Sequence, residues 1–168
     1  MSNNAEPESS RPHMPGYGIL PADQGRGLLP WSWASDRFSE SKNFWLSTCR
    51  PDGRPHAMAV WGVWLQESRA FYFSTGSETL KARNLAANPA CVITTSSADV
   101  ALIVEGVADR VEGAAIPPEL KPAYEAKYGM AYPPDSSVFA VHPRLAFGII
   151  EDAAEFPGSA TRWKFPAP

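Results

Sequence analysis

Phe44-Trp45-Leu46-Ser47-Thr48-Cys49-Arg50-Pro51-Asp52-Gly53-Arg54-Pro55-His56 is the stretch whose reading decides the fold. Its first half is aromatic and β-favouring, and its second half is a turn: Pro51 presets φ, Asp52 bonds its own backbone and Gly53 accepts positive φ. The chain therefore turns back on itself as a hairpin. The return run, residues 55–65, places His56, Met58, Val60, Gly62 and Trp64 on one face and Ala57, Ala59, Trp61 and Val63 on the other. Both faces are largely apolar, which predicts one strand buried on both sides. Residues 66–69 turn the chain into Ala70-Phe71-Tyr72-Phe73-Ser74-Thr75, a third strand of strong β preference.

Outward from the hairpin, Gly76 ends the third strand, and Ser77-Glu78-Thr79 opens a helix that runs to Ala87 and closes at Asn88-Pro89. Ala82, Leu85 and Ala86 form its apolar stripe, while Lys81, Asn84 and Asn88 share another face. Residues 90–95 and 100–111 read as strands, the second with a bulge near Gly106. A second helix occupies residues 117–129, and residues 137–141, 145–150 and 160–165 are further strand candidates. Before the hairpin, residues 30–42 form a helical candidate with Ser32 as N-cap. Residues 1–29, proline-rich and polar, read as a flexible leader and strap, leaving 30–168 as a single domain. Six or seven short strands with two or three interposed helices predict a mainly β protein, a small antiparallel barrel.

Composition narrows the function classes. At 168 residues, with 44% hydrophobic and 20% charged residues, the chain suits one globular domain. A net charge of −3 gives no broad basic field for nucleic acid or an anionic membrane. No apolar run is long enough to span a bilayer, and the first ten residues have neither the basic nor the apolar segment of a signal peptide, so a cytoplasmic location is expected. Cys49 and Cys91 each lie in or beside a strand and read as inert thiols; the histidines lack metal-ligand spacing, so no metal is expected. Glu105 reads as a strand residue rather than a general base.

The chemistry concentrates in Phe73-Ser74-Thr75-Gly76-Ser77-Glu78-Thr79-Leu80-Lys81-Ala82-Arg83-Asn84-Leu85. A strand-to-helix turn here gathers hydroxyls, helix N-terminal amides and an early lysine, the donors that hold a phosphate. The same residues also suit plain helix capping by Ser77 and Thr79 with Lys81 and Arg83 solvated, and spacing alone does not decide between the two.

Taken in order, Trp45-Leu46-Ser47-Thr48, Arg50 to His56, Val60-Trp61-Gly62-Val63-Trp64, Phe73-Ser74-Thr75-Gly76 and Lys81 to Pro89 are similar to the pyridoxamine 5′-phosphate oxidase-like split-barrel family. They resemble most its deazaflavin-dependent oxidoreductase branch, and Gly158 to Phe165 resembles that branch's closing strand. The resemblance implies a dimeric split antiparallel β-barrel with its cofactor at the subunit interface. It implies a phosphate held by His56, Ser74, Thr75, Thr79 and Lys81, with Asn84 on the same helix. Backbone groups of Met58, Ala59, Val60 and Trp61 would meet the ring edge, and a partner's Trp163 would close over it, although Trp163 equally suits closing its own barrel. Leu80 and His56 replace arginines common in the family, which implies either a weaker phosphate affinity or a grip shared with Arg83 or a second chain.

The implied function is an oxidoreductase passing a hydride between coenzyme F-420 (8-hydroxy-5-deazaflavin), or alternatively FMN, and a small conjugated acceptor. The absence of an acid–base constellation in the sequence agrees with a cofactor that carries the hard chemistry. The competing reading is a non-catalytic flavin- or haem-binding protein on the same barrel. On the oxidoreductase reading the expected partners are a small-molecule substrate and a second copy of the chain, with no nucleic acid and no membrane.

Overall fold

The computed structural model describes residues 6–166. The elements run β1 (Glu8–Ser10), α1 (Trp31–Glu40), β2 (Phe44–Cys49), β3 (Pro55–Val60), β4 (Gly62–Leu65), β5 (Ala70–Thr75), α2 (Leu80–Ala87), β6 (Ala90–Thr95), β7 (Val100–Val111), a 3-10 turn (Gly113–Ala115), α3 (Leu120–Tyr128), β8 (Ser137–Ile150), α4 (Phe156–Ser159) and β9 (Thr161–Lys164). The nine strands form one sheet with the path β1-β9-β8-β7-β6-β2-β3, and β5 joins β8 with β4 beyond it. Every pairing is antiparallel. This is the mainly β split barrel that the sequence leads one to expect, with short helices at its openings.

β8 makes the split. Along one edge it pairs with β7 throughout; along the other, its first half pairs with β5 and its second half with β9. Two strand candidates separated at His142-Pro143-Arg144 are thus one strand. Proline cannot donate to a ladder, and the register accommodates it: Glu105 faces Leu145, Gly106 faces Pro143, and Arg144 stands out as the extra residue. The Arg144 carbonyl accepts from Phe165 N at 3.0 Å. Gly106 is required there, because a Cβ would lie 2.6 Å from the His142 carbonyl oxygen.

The return run of the hairpin breaks where one strand is expected. β3 pairs with β2, the chain bends at Trp61, and β4 pairs with β5 on the other side of the barrel. β4 is buried throughout, but β3 is exposed at Ala57, Met58 and Ala59 and forms the edge of the sheet path. The expectation of burial on both sides fails for β3 because, in the single chain, its outward face at Ala57 and Ala59 is left to solvent together with Trp45 opposite, and Met58 is exposed as well.

The core is aromatic. Phe38 of α1 stacks on Trp64 at 5.4 Å between ring centres and 12°, while Trp31 meets Trp163 and Phe165 edge-on at 5.5 and 4.8 Å. A second cluster, Val63, Leu65, Tyr72, Val138 and Ala140, lies under Leu120 and Tyr124 of α3. α1 begins after Pro30, whose side chain makes no capping bond; Ser32, expected as its cap, lies inside the first turn. Pro30 serves because its preset φ suits entry to a helix.

Within the stretch assigned to leader and strap, Glu8, Ser9 and Ser10 pair with Lys164, Trp163 and Arg162. The Arg11 guanidinium then donates to five carbonyls, those of Pro21, Gln24, Gly27, Gly158 and Ala160, at 2.9–3.3 Å. Among the described residues, no helix is long and apolar enough to cross a membrane.

Candidate active site

The end of β5, the start of α2 and the bend after β3 enclose a cleft of about 320 Å³ lined by Ala59, Val60, Trp61, Ser74, Thr75, Lys81, Tyr124 and Pro133. Six of these eight are residues the sequence singles out. They meet because β5 delivers Ser74 and Thr75 directly into the α2 turn, while the β3–β4 bend swings Trp61 across.

At the polar end, Thr79 caps α2. Its Oγ1 donates to the Gly76 carbonyl at 2.9 Å, accepts from Ala82 N at 3.4 Å, and lies 3.2 Å from Thr75 Oγ1. Capping therefore occupies the Thr79 proton, and its contribution to a ligand is to fix the turn. The amides of Leu80 and Lys81 head the helix with no intrahelical partner, and none faces them among the described residues. Lys81 makes no ion pair among the described residues, and burial lowers its pKa below the ordinary lysine value. An unpaired, partly desolvated ammonium beside hydroxyls and helix-head amides is a donor set suited to a phosphate.

His56 and Met58 share a face of β3 with Val60, next to the cleft rather than lining it. His56 Nδ1 lies 3.4 Å from Thr48 Oγ1, which accepts from Asn84 Nδ2 at 2.9 Å. Asn84 is thereby buried, 1% exposed, and fastens α2 to β2. Its assignment to the free polar face is corrected: α2 packs Asn84 inward together with Ala82 and Leu85, and leaves Ala86 outside. Arg83 lies away from the cleft and lines a separate groove with Arg110 and Asp109.

Trp163 is the clear correction. It is 1% exposed, its indole N–H donates to the Leu29 carbonyl at 3.2 Å, and its rings are enclosed by Trp31 and Trp33. A side chain so enclosed closes its own barrel and has no surface left for a partner's ligand. Cys91 is buried, with its thiol pushed up to about 12, and Glu105 points outward from β7. Among the described residues, no three His, Cys, Asp or Glu side chains cluster as metal ligands.

The opposite wall was missed. Tyr124 of α3 lines the cleft, Tyr128 stacks on Trp61 at 5.0 Å and 11°, and Tyr132 meets Tyr124 at 5.0 Å. The signal was present for two of them: Tyr124 and Tyr128, four residues apart on α3, share one helix face, whereas Tyr132 lies in the loop beyond Gly129.

A family model described as pyridoxamine 5′-phosphate oxidase matches residues 34–149. Comparison with curated protein sequences gives no match. Among solved structures, a conserved hypothetical protein of Mycobacterium tuberculosis is similar with a TM-score of 0.62 at 18% identity, over 83% of this chain and 91% of that one. An F-420 reductase is similar with a TM-score of 0.54 at 25% identity, over 67% of this chain and 94% of its own. A haem storage protein of Vibrio cholerae is similar with a TM-score of 0.55 at 20% identity, over 67% and 89%.

Proposed function

Because the chain belongs to the pyridoxamine 5′-phosphate oxidase family, we propose that it is an oxidoreductase that transfers a hydride between coenzyme F-420, or FMN, and a small conjugated acceptor. The observation that carries this reading is the unpaired Lys81 beside Ser74, Thr75 and the head of α2, in a cleft whose far wall is aromatic. The polar end fits a ribityl phosphate, and the backbone of Ala59, Val60 and Trp61 offers an edge for a tricyclic ring, leaving the Trp61 indole outside that contact. An F-420 reductase among the similar structures supports the deazaflavin over FMN.

The cofactor, when bound, supplies the hydride donor and acceptor carbon or nitrogen centre. This chain binds the phosphate through Lys81 and the Leu80 and Lys81 amides, fixes the turn through Thr79, and excludes water with Val60 and Tyr124. Its contribution to rate would be alignment of the bound cofactor with its acceptor. The second reading is a haem-binding protein; a haem storage protein on the same fold favours it.

A homodimer belongs to the proposal. The outward face of β3 and β2 carries Ala57, Ala59 and a 48%-exposed Trp45, and the cleft opens beside it at Ala59. A second copy covering that face would complete the cleft's rim. Titration of the purified protein with F-420, FMN and haem, followed by fluorescence and absorbance, tests the function. Submicromolar binding of F-420 or FMN is expected, and saturable haem binding with no flavin or deazaflavin binding would overturn it.

A further inference from the structure

Single exposed aromatic residues are ordinary on protein surfaces. Trp61 is different in being held. It lies at the β3–β4 bend with 46% of its surface exposed, yet one indole face is stacked on Tyr128 and the indole N–H donates to Asn43 Oδ1 at 3.1 Å. Tyr128 is itself fixed: its hydroxyl accepts from Gly62 N at 2.9 Å and lies 2.8 Å from the Lys42 carbonyl and 2.9 Å from that of Gly62. Behind it, Tyr124 approaches Tyr128 at 4.6 Å between ring centres. The result is a braced column of rings with one free face, and Trp61 and Tyr124 both line the cleft that holds Lys81.

An indole braced on its rear face and its edge has already lost the rotational freedom that a ligand would otherwise have to remove, so stacking on the free face is preorganised. Flat π-systems gain from such a platform, whereas puckered rings of the same carbon skeleton touch it at few atoms. Lys81 and the helix head lie at the other end of the cleft. The aromatic end therefore suits an uncharged, planar moiety rather than a second anion.

We propose that Trp61, braced by Tyr128 and Asn43, is the platform on which this protein selects a planar, fused-ring acceptor over non-planar acceptors of equal size. Trp61 is the specificity-determining residue, and Tyr128 and Asn43 are positioning residues. The inference rests on reading the cleft as a hydride-transfer site, but its test separates the two.

The probes are 2-naphthol and decahydro-2-naphthol, which share one skeleton and differ in planarity. Calorimetric titration of the full chain, loaded with whichever of F-420 or FMN it binds and otherwise as purified, is expected to show about tenfold tighter binding of 2-naphthol. In Trp61→Leu, held at saturating cofactor so that any change in cofactor affinity does not enter, the preference is expected to fall to about twofold or less. Tyr128→Phe keeps the stack but frees its tether, and is expected to lose part of the preference. Intermolecular NOEs from the Trp61 indole to 2-naphthol in the unmutated protein give the same answer should Trp61→Leu fail to fold. Equal binding of the two probes, a preference that survives Trp61→Leu at saturating cofactor, or NOEs to other rings alone would each overturn the proposal. A protein that binds neither cofactor yet shows the Trp61-dependent preference would overturn the hydride-transfer reading and leave the platform standing.

Discussion

Lys81 is where a single side chain has the largest expected effect on the ligand. A charge-assisted contact contributes about 1.5–3 kcal/mol, so Lys81→Ala is expected to weaken F-420 or FMN binding by about one to two decades while the melting temperature holds. An unchanged dissociation constant in a folded variant would return Lys81 to the solvated face. His56 makes the complementary case, because it reaches the site through Thr48 and Asn84. His56→Ala is expected to raise the cofactor dissociation constant and leave the single-turnover rate at saturating cofactor within about tenfold; a loss of about 10² or more would make it a proton-transfer group. At this scale the sequence made the polar end of the cleft legible, because Ser74, Thr75, Thr79 and Lys81 follow one another through a single turn. Asn84 and Trp163 were misplaced for one shared reason. Helical or strand position gives a direction for a side chain but not what packs opposite it, and both directions lead into the core.

Among the elements, α3 adds to the packing of Leu120 and Tyr124 the hydrogen bonds of two further side chains. Tyr128 grips Lys42 and Gly62, and the partly buried Lys127 donates from Nζ to the Phe38 carbonyl at 2.8 Å, in the last turn of α1. Burial lowers the Lys127 pKa to about 8. Its folded value lies below the unfolded one, so between about pH 8 and 10.5 the unfolded chain binds more protons, and stability from this group rises with pH. The melting temperature of the wild type relative to Lys127→Met is therefore expected to climb across that window, and a flat difference would show the ammonium to be well solvated. Gly62, at the bend beside Trp61, leaves no room for a Cβ, which would collide with the Phe71 ring and approach the Tyr72 carbonyl oxygen to 2.7 Å. Gly62→Ala is expected to lower the melting temperature by about 2–12 °C in a thermal scan. The β2–β3 hairpin was readable from turn chemistry, which is local. The break at Trp61 and the continuity of β8 through Pro143 were not, since each is set by pairing with strands distant in sequence.

For the molecule as a whole, the exposed apolar edge of β3 and the 48%-exposed Trp45 argue for a second copy against that face. Light scattering at micromolar concentration is expected to give twice the 18.3 kDa chain mass, and Trp45→Glu is expected to give the single mass with weaker cofactor binding. A wild type at the mass of one chain would refute the dimer. Apolar faces on both sides of residues 55–65 could not distinguish a buried strand from an edge awaiting a partner, which is why the sequence reading erred at β3. The pairing of β1 with β9 bears on how the chain is made. Residues 8–10 leave the ribosome about 150 residues before their partners at 162–164, and Arg11 finds two of its five carbonyls only at Gly158 and Ala160. Until residue 163 has emerged, the slot for Trp163 beside Trp31 stands open, so the growing barrel keeps an aromatic gap in its interior that a non-local pairing alone can fill.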